Sequence, residues 1–278
     1  MSATRFITGT RLALAAAGVV TLGQLQRIRD VESSRVIEVT AGDFFFRAPD
    51  SVAAGPARIR LRSSGKEPHH MQIVRYDSAH SLDDVMRVMT KPEVDVPWIT
   101  FVGGPGTPPP DGVSEVATIL RPGRYALLCF VTFRGARHLT MGMLRSLTVT
   151  GTPNDRVAPA SEPNSIVMRD HDYLLAHPLK VGKQRIRVTN TGAQPHEAGV
   201  WMLKPGTTEA ATREWFAHPA GPPPATPIGG VMALSPGETS VLPVDLPKGT
   251  AVLFCYVPDA TDARSHIAHG MVRFVEVR

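Results

Sequence analysis

The chain has 278 residues, a formal net charge of +5, 24 glycines, 25 prolines and only two cysteines. That length accommodates two domains with cores of their own, and the frequent turn residues between short Val-, Leu- and Ile-rich runs exclude a helix bundle in favour of β structure. No dense Lys/Arg cluster is interleaved with aromatics, which excludes nucleic acid as a partner, while the basic balance suits an acidic protein or an anionic surface. At the N-terminus Arg5 and Arg11 precede an apolar stretch over residues 12–23. Its length fits an export signal or an uncleaved anchor, so residues 1–34 are read as that segment, with residues 5–26 as the candidate membrane attachment and an extracytoplasmic location for the rest.

Beyond it, Val36-Ile37-Glu38-Val39-Thr40 alternates as a strand, and Ala57-Arg58-Ile59-Arg60-Leu61-Arg62 alternates strictly between apolar and basic residues. Pro68-His69-His70-Met71-Gln72-Ile73-Val74 reads as another strand. Ser81-Leu82-Asp83-Asp84 reads as a capping box that opens a short helix running to about Met89. A Pro/Gly-rich loop, a strand through Glu115 and Leu120, and a Pro122-Gly123 turn lead to the apolar run that delivers Cys129. After a polar loop comes His138, and after it Met143.

The second half replays this order. Asp172-Tyr173 is matched to Asp43-Phe44, Arg185-Ile186-Arg187-Val188 to Arg58-Ile59-Arg60-Leu61, Pro195-His196 to Pro68-His69, and Gly229-Gly230 to Gly103-Gly104. Cys255, His266 and Met271 then answer Cys129, His138 and Met143, with His-x-x-x-Gly-Met in both copies. The offset stays between 126 and 129 residues, which marks an internal duplication. The expected division is a first domain over 35–151, a linker over 152–163 and a second domain over 164–278. A Cys129–Cys255 disulfide is the ordinary alternative for an exported chain, although repeat-equivalent cysteines sit in separate domains.

With these residues in view, each half resembles a cupredoxin, the Greek-key β-sandwich of plastocyanin, azurin and the copper nitrite reductases. The resemblance implies an all-β fold of two tandem sandwiches, each with a short inserted helix. It implies one or two type 1 copper ions, held by His69, Cys129, His138 and Met143 in the first half and by His196, Cys255, His266 and Met271 in the second. The second site is the weaker expectation, because ten residues separate Cys255 from His266 against eight in the first loop, and Asp259 and Asp262 lie among them. Met141, which the repeat matches to His269, is expected to face away from Met143. In the family an Asn often follows the first ligand histidine and braces the cysteine loop. His70 and Glu197 stand there instead, which bears on the surroundings of the metal more than on its ligands.

The function implied is outer-sphere electron transfer through the exposed edge of His138 or His266, to a redox partner the sequence does not name. Two alternatives stand beside it. One is a metal-free binding or structural module of the cell envelope. The other is a copper oxidoreductase related to nitrite reductase, against which the chain lacks a His-x-His motif and has Leu128 and Phe254 directly before the cysteines. His80, His171, His177 and His218 read as ordinary solvated or hydrogen-bonded histidines, and His266, His269 and the nearby acidic residues as an accidental cluster.

Overall fold

A computed structural model describes residues 35–91, 96–152 and 162–278. The signal or anchor segment and most of the linker lie outside the described residues. The first half contains β1 (Arg35–Gly42), β2 (Phe45–Arg47), β3 (Ser51–Ala53), β4 (Gly55–Ser63) and β5 (Gln72–Tyr76). Helix α1 (Leu82–Met89) comes next, then β6 (Ile99–Phe101), β7 (Val113–Leu120), β8 (Gly123–Leu128), the short hairpin β9 (Thr132–Phe133) and β10 (Ala136–Arg137), and β11 (Leu144–Thr150). The second half contains β12 (Asn164–Arg169), β13 (Asp172–Leu175), β14 (Gly182–Asn190), β15 (His196–Leu203), helix α2 (Glu209–Ala217), β16 (Ala225–Leu234), β17 (Thr239–Leu246), β18 (Gly249–Phe254) and β19 (Val272–Val277).

The alternating strands bury the faces their sequences predict. In β4, Ala57, Ile59 and Leu61 are buried, while Arg58 and Arg60 point outward and share the carboxylate of Glu115 on the neighbouring β7. Ile59 and Leu61 each contribute about 1.5–3 kcal/mol by burial. Helix α1 begins as expected: Ser81 caps the Asp84 N–H, and the Asp84 carboxylate accepts from the Ser81 N–H.

Each half is a Greek-key sandwich, because the chain crosses repeatedly between two sheets. One sheet belongs to each half alone, with order β3-β11-β8-β5-β6 in the first and β16-β15-β18-β19 in the second. The other sheet is shared. Its eight strands run β13-β12-β14-β17-β7-β4-β1-β2, so the order reads outward from the β17/β7 junction through repeat-equivalent strands on both sides. The halves therefore do not sit as separate beads, and one cluster of buried apolar side chains runs through both.

A second seam joins them where the two Gly-Gly segments approach. Gly103 N–H donates to the Ala233 carbonyl, Met232 N–H to Gly104 and Gly106 N–H to Gly230. Buried Gln72 adds a side-chain tie, its Nε2 donating to the Gly103 carbonyl of the first half and the Ala233 carbonyl of the second, each at 3.0 Å. Gly104 and Gly230 both have φ of +131°, and a Cβ there would run into the carbonyl oxygens of Met71 and Ala198, respectively.

Gly104→Ala and Gly230→Ala are each expected to destabilise the chain by about 1–3 kcal/mol from the backbone conformation, with a further cost from the clash. Urea unfolding of the two variants measures this, and Gly55→Ala, at φ 116° with nothing within 4 Å of its Cβ, gives the backbone cost without the clash.

Candidate metal centre

In both halves the cysteine leaves the end of a strand at the mouth of the sandwich, and the same backbone bonds fix the ligand loop beyond it. Cys129 N–H donates to the Met143 carbonyl (3.3 Å), Leu139 N–H to Cys129 (2.8 Å), His138 N–H to Val131 (2.8 Å) and Met143 N–H to His138 (3.0 Å). In the second half the corresponding bonds run from Cys255 to Met271 (3.2 Å), Ile267 to Cys255 (2.8 Å), His266 to Val257 (2.9 Å) and Met271 to His266 (2.9 Å). The extra length of the second loop is taken up between Val257 and His266. There Asp259 N–H donates to the Arg264 carbonyl and Ala263 adopts positive φ, so the frame itself is unchanged.

The glycine of His-x-x-x-Gly-Met has a structural cause. His138–Met141 and His266–His269 are single 3-10 turns, ended by Gly142 at φ 119° and Gly270 at φ 94°. A left-handed cap there returns the chain to the next strand, and a Cβ on Gly142 would crowd the Phe44 carbonyl oxygen.

The donor atoms converge. In the first half His69 Nδ1 lies 3.2 Å from His138 Nδ1, and Cys129 Sγ lies 3.6 Å from the same His138 Nδ1. In the second half His196 Nδ1 is 3.0 Å from His266 Nδ1, and Cys255 Sγ is 3.2 Å from it. All six side chains have 0% exposure, as do Met143 and Met271, and both cysteines are free thiols. The disulfide alternative is therefore set aside, because each thiol faces the histidines of its own half. Met141 is half-buried, whereas Met143 is fully buried.

Behind each centre stands a carboxylate. His69 Nε2 is 3.2 Å from Asp43 Oδ1, and His196 Nε2 is 2.8 Å from Asp170 Oδ1. Each carboxylate also accepts backbone N–H groups, from Lys66 and Glu67 in one case and Ala193 in the other. An Nε2–H held by the carboxylate leaves the Nδ1 lone pair turned into the centre, the usual arrangement behind a ligating histidine. This pairing corrects the repeat match: Asp43-Phe44 is answered by Asp170-His171, not by Asp172-Tyr173. The true markers are the positive-φ turn residues Phe44 (φ 68°) and His171 (φ 62°), whereas Asp172 and Tyr173 already belong to β13.

The residues after the first histidine do brace the cysteine loop, by unlike chemistry. Phe130 N–H donates to His70 Nε2 (2.9 Å), and Tyr256 N–H donates to Glu197 Oε1 (2.7 Å). Tyr173, fully buried, fixes Glu197 further by donating its hydroxyl to the Glu197 carbonyl (2.7 Å).

One expectation is overturned. Neither His138 nor His266 has an exposed edge, because side chains of the β1–β2 and β12–β13 turns and of the ligand loops fold over them. Phe44 meets the His138 ring edge-on at 5.2 Å and Phe133 lies at 6.5 Å, while His171 meets the His266 ring at 5.1 Å.

Electrostatics in this setting disfavour charge on any single donor. Burial pushes the Cys129 thiol up to about 11, and the Cys255 thiol rises as well. Burial lowers His69 and His138, and brings His266 down to about 4 with help from the neighbouring His196. A cation that displaces the thiol proton compensates the resulting thiolate, so binding and deprotonation are coupled. The donor set of a thiol and two imidazoles, with a buried thioether next in the chain, fits a soft or borderline metal ion.

A two-sheet sandwich with its cysteine and second histidine on one strand-to-strand loop, and its first histidine from across the fold, defines both halves as cupredoxin-like. No protein-family profile matches the chain, and no curated protein matches it. Among solved structures, auracyanin of Roseiflexus castenholzii is similar at 21% identity over 42% of this chain and 98% of its own, with a TM-score of 0.30. Azurin of Methylomonas sp. strain J is similar at 16% identity over 43% of this chain and all of its own, with a TM-score of 0.30. The copper nitrite reductase of Nitrosomonas europaea is similar at 12% identity over 88% of this chain and 93% of its own, with a TM-score of 0.25.

Glu197 has a measurable signature. Burial raises its carboxyl from 4.5 to about 7, against the lowering bond from Tyr256. Between these values the unfolded chain has lost the proton and the folded chain keeps it, so the stability of the metal-free protein is expected to fall as pH rises through that window. Glu197→Gln, which keeps an oxygen for Tyr256 N–H, is expected to remove this slope and to be more stable above pH 7 by up to about 3 kcal/mol. Urea unfolding at stepped pH tests it, and an unaltered profile in the variant would refute the assignment.

Proposed function

We propose that the chain is an extracytoplasmic protein with two copper centres that carries electrons. The observation behind this reading is the repeated convergence of a buried thiol and two buried imidazole nitrogens on a hydrogen-bonded loop. A His2Cys set with a weak thioether suits copper, which alternates between a soft and a harder oxidation state, whereas zinc prefers a tetrahedral set without thioether. Copper would be held by Cys129, His69 and His138 with Met143 in the first half, and by Cys255, His196 and His266 with Met271 in the second.

Copper bound there supplies a one-electron couple. The protein's own part is to keep the donors rigid, so that little rearranges when charge changes. The carboxylates of Asp43 and Asp170 hold the Nε2 protons of His69 and His196. His70 and Glu197 tie down the residue after each cysteine, and full burial keeps water from the donors. Electrons would enter and leave through the cover over His138 and His266 rather than through a bare ring edge. The net charge of +5 favours a redox partner with an acidic face. Leu128 and Phe254 stand where a copper nitrite reductase has a histidine for its second copper, which weighs against catalysis. The apolar stretch over residues 12–23 supports an export compartment.

Loading the full chain with Cu(II) is expected to give an intense thiolate-to-copper absorption band and a narrow copper hyperfine splitting, with two coppers per chain. Cys129→Ser and Cys255→Ser should each remove one copper and its share of the colour. A colourless chain that retains no copper would overturn the reading in favour of a metal-free scaffold.

Asp43→Asn and Asp170→Asn are expected to weaken copper retention at their own centre by about 10–100-fold while leaving the other intact. Competition against a chelator measures this, and an equal loss at both centres would refute the local role.

A further inference from the structure

The cover over the second centre is built from metal-ligand residue types where the first centre has apolar ones. Phe44 is replaced by His171 in the equivalent positive-φ turn position. Phe133, four residues after Cys129, is replaced by Asp259, four residues after Cys255. Met141 is replaced by His269 in the equivalent 3-10 turn. Three apolar positions, drawn from two separate segments, thus become two imidazoles and a carboxylate around one ring.

The atoms lie at ligand spacing. His171 Nε2 is 3.0 Å from Asp259 Oδ2, and His266 Nε2 is 3.7 Å from the same oxygen. Donors around a tetrahedral ion bonded at about 2.0–2.1 Å are separated by about 3.3 Å, and these two distances bracket that value. His266 Nε2 is fully buried and has no hydrogen-bond partner, although it points at the carboxylate. Its Nδ1 faces Cys255 and His196 on the other side of the ring. Asp259 is 3% exposed and is held in place by the Thr261 hydroxyl and N–H and by Gln194 Nε2 at 2.8 Å. At the rim the His269 ring stacks on His171 at 4.9 Å, and His269 Nε2 lies 3.1 Å from Asp262 Oδ1.

We propose that His171, Asp259 and Nε2 of His266 form an additional divalent-cation site on the outer side of the second centre, filled by the Nδ1–H tautomer of His266 when the inner centre is empty and, when both are filled, by its imidazolate after the ring proton leaves to solvent. A set of two imidazoles and one carboxylate, without sulfur, matches zinc or another borderline divalent ion and leaves a fourth position toward the rim for water or His269. The first half, where Phe44 and Phe133 occupy the corresponding places, has no such site.

The test uses the full chain with Cys129 and Cys255 both changed to serine, so that neither thiolate captures the probe and the result does not depend on whether copper fills the cysteine centres. Zinc is counted by equilibrium dialysis. One ion per chain is expected, with affinity reduced at least about tenfold by His171→Phe, which installs the first half's own residue, and by Asp259→Asn. Thermal melts report whether each variant remains folded, and either folded variant suffices. Zinc retained equally by the folded variants would assign it to a paired-histidine centre without His171 and Asp259 and overturn the site. No retention at all would overturn it too, leaving His171 and Asp259 as a hydrogen-bonded brace for His266.

Discussion

Everything near the mouths of this protein depends on keeping a thiol and two imidazoles close together without water. Isolated from solvent, each donor resists charge: the Cys129 thiol holds its proton up to about 11, and the histidines give theirs up more readily than usual. Such a cluster is costly unless its surroundings fix it and something compensates it. The fixing is done by backbone. Four main-chain bonds set the loop between cysteine and methionine, a left-handed glycine closes the turn that carries the second histidine, and a carboxylate from a distant turn holds the first. Because these restraints come from strands, turns and loops at once, the geometry belongs to the fold rather than to any one segment.

The fold in turn is more unified than a pair of domains on a string. The β17/β7 junction makes one sheet of two halves, and the glycine-rich segments are stitched across the opposite side by main-chain bonds and by Gln72. Residues without side chains at Gly104 and Gly230 let carbonyls approach where any Cβ would collide. A shared sheet and a shared core fix the two centres relative to each other.

Much of this is legible in the sequence because it is local and periodic. The apolar/basic alternation of Ala57 to Leu61, the Ser81–Asp84 capping box and the twin His-x-x-x-Gly-Met frames each carry their cause within a few residues. The features that escape a sequence reading are set by residues far apart in the chain. Asp43 matches Asp172 by pattern because an acidic–aromatic pair looks alike in both places, whereas the turn geometry that selects Asp170 shows only as positive φ at Phe44 and His171. The expected bare histidine edges fail in part for the same reason: Phe44 and His171 come from turns between β1 and β2 and between β12 and β13, nearly a hundred residues upstream, and join Phe133 and Asp259 of the ligand loops. The braces at His70 and Glu197 are hidden because histidine and glutamate perform by different chemistry the task expected of an amide. Nor does a strand such as β7 reveal by its pattern whether its free edge meets solvent or the other half.

The differences between the halves are therefore as informative as the repeat. The frames are alike bond for bond, yet the ring of His138 lies under Phe44 and Phe133 while that of His266 lies under His171 and Asp259. An aromatic cover carries no formal charge to oppose a positive charge on the ring beneath it. A carboxylate held ionised mainly by the Thr261 hydroxyl and N–H attracts such a charge at close range. Two centres with the same inner donors are thus placed in different electrostatic surroundings, set by the residues that cover them and by the unlike braces at His70 and Glu197. Whatever passes between these centres and their surroundings must cross an aromatic cover at one and an ionic cover at the other, so duplication has here produced two unequal mouths on a common frame.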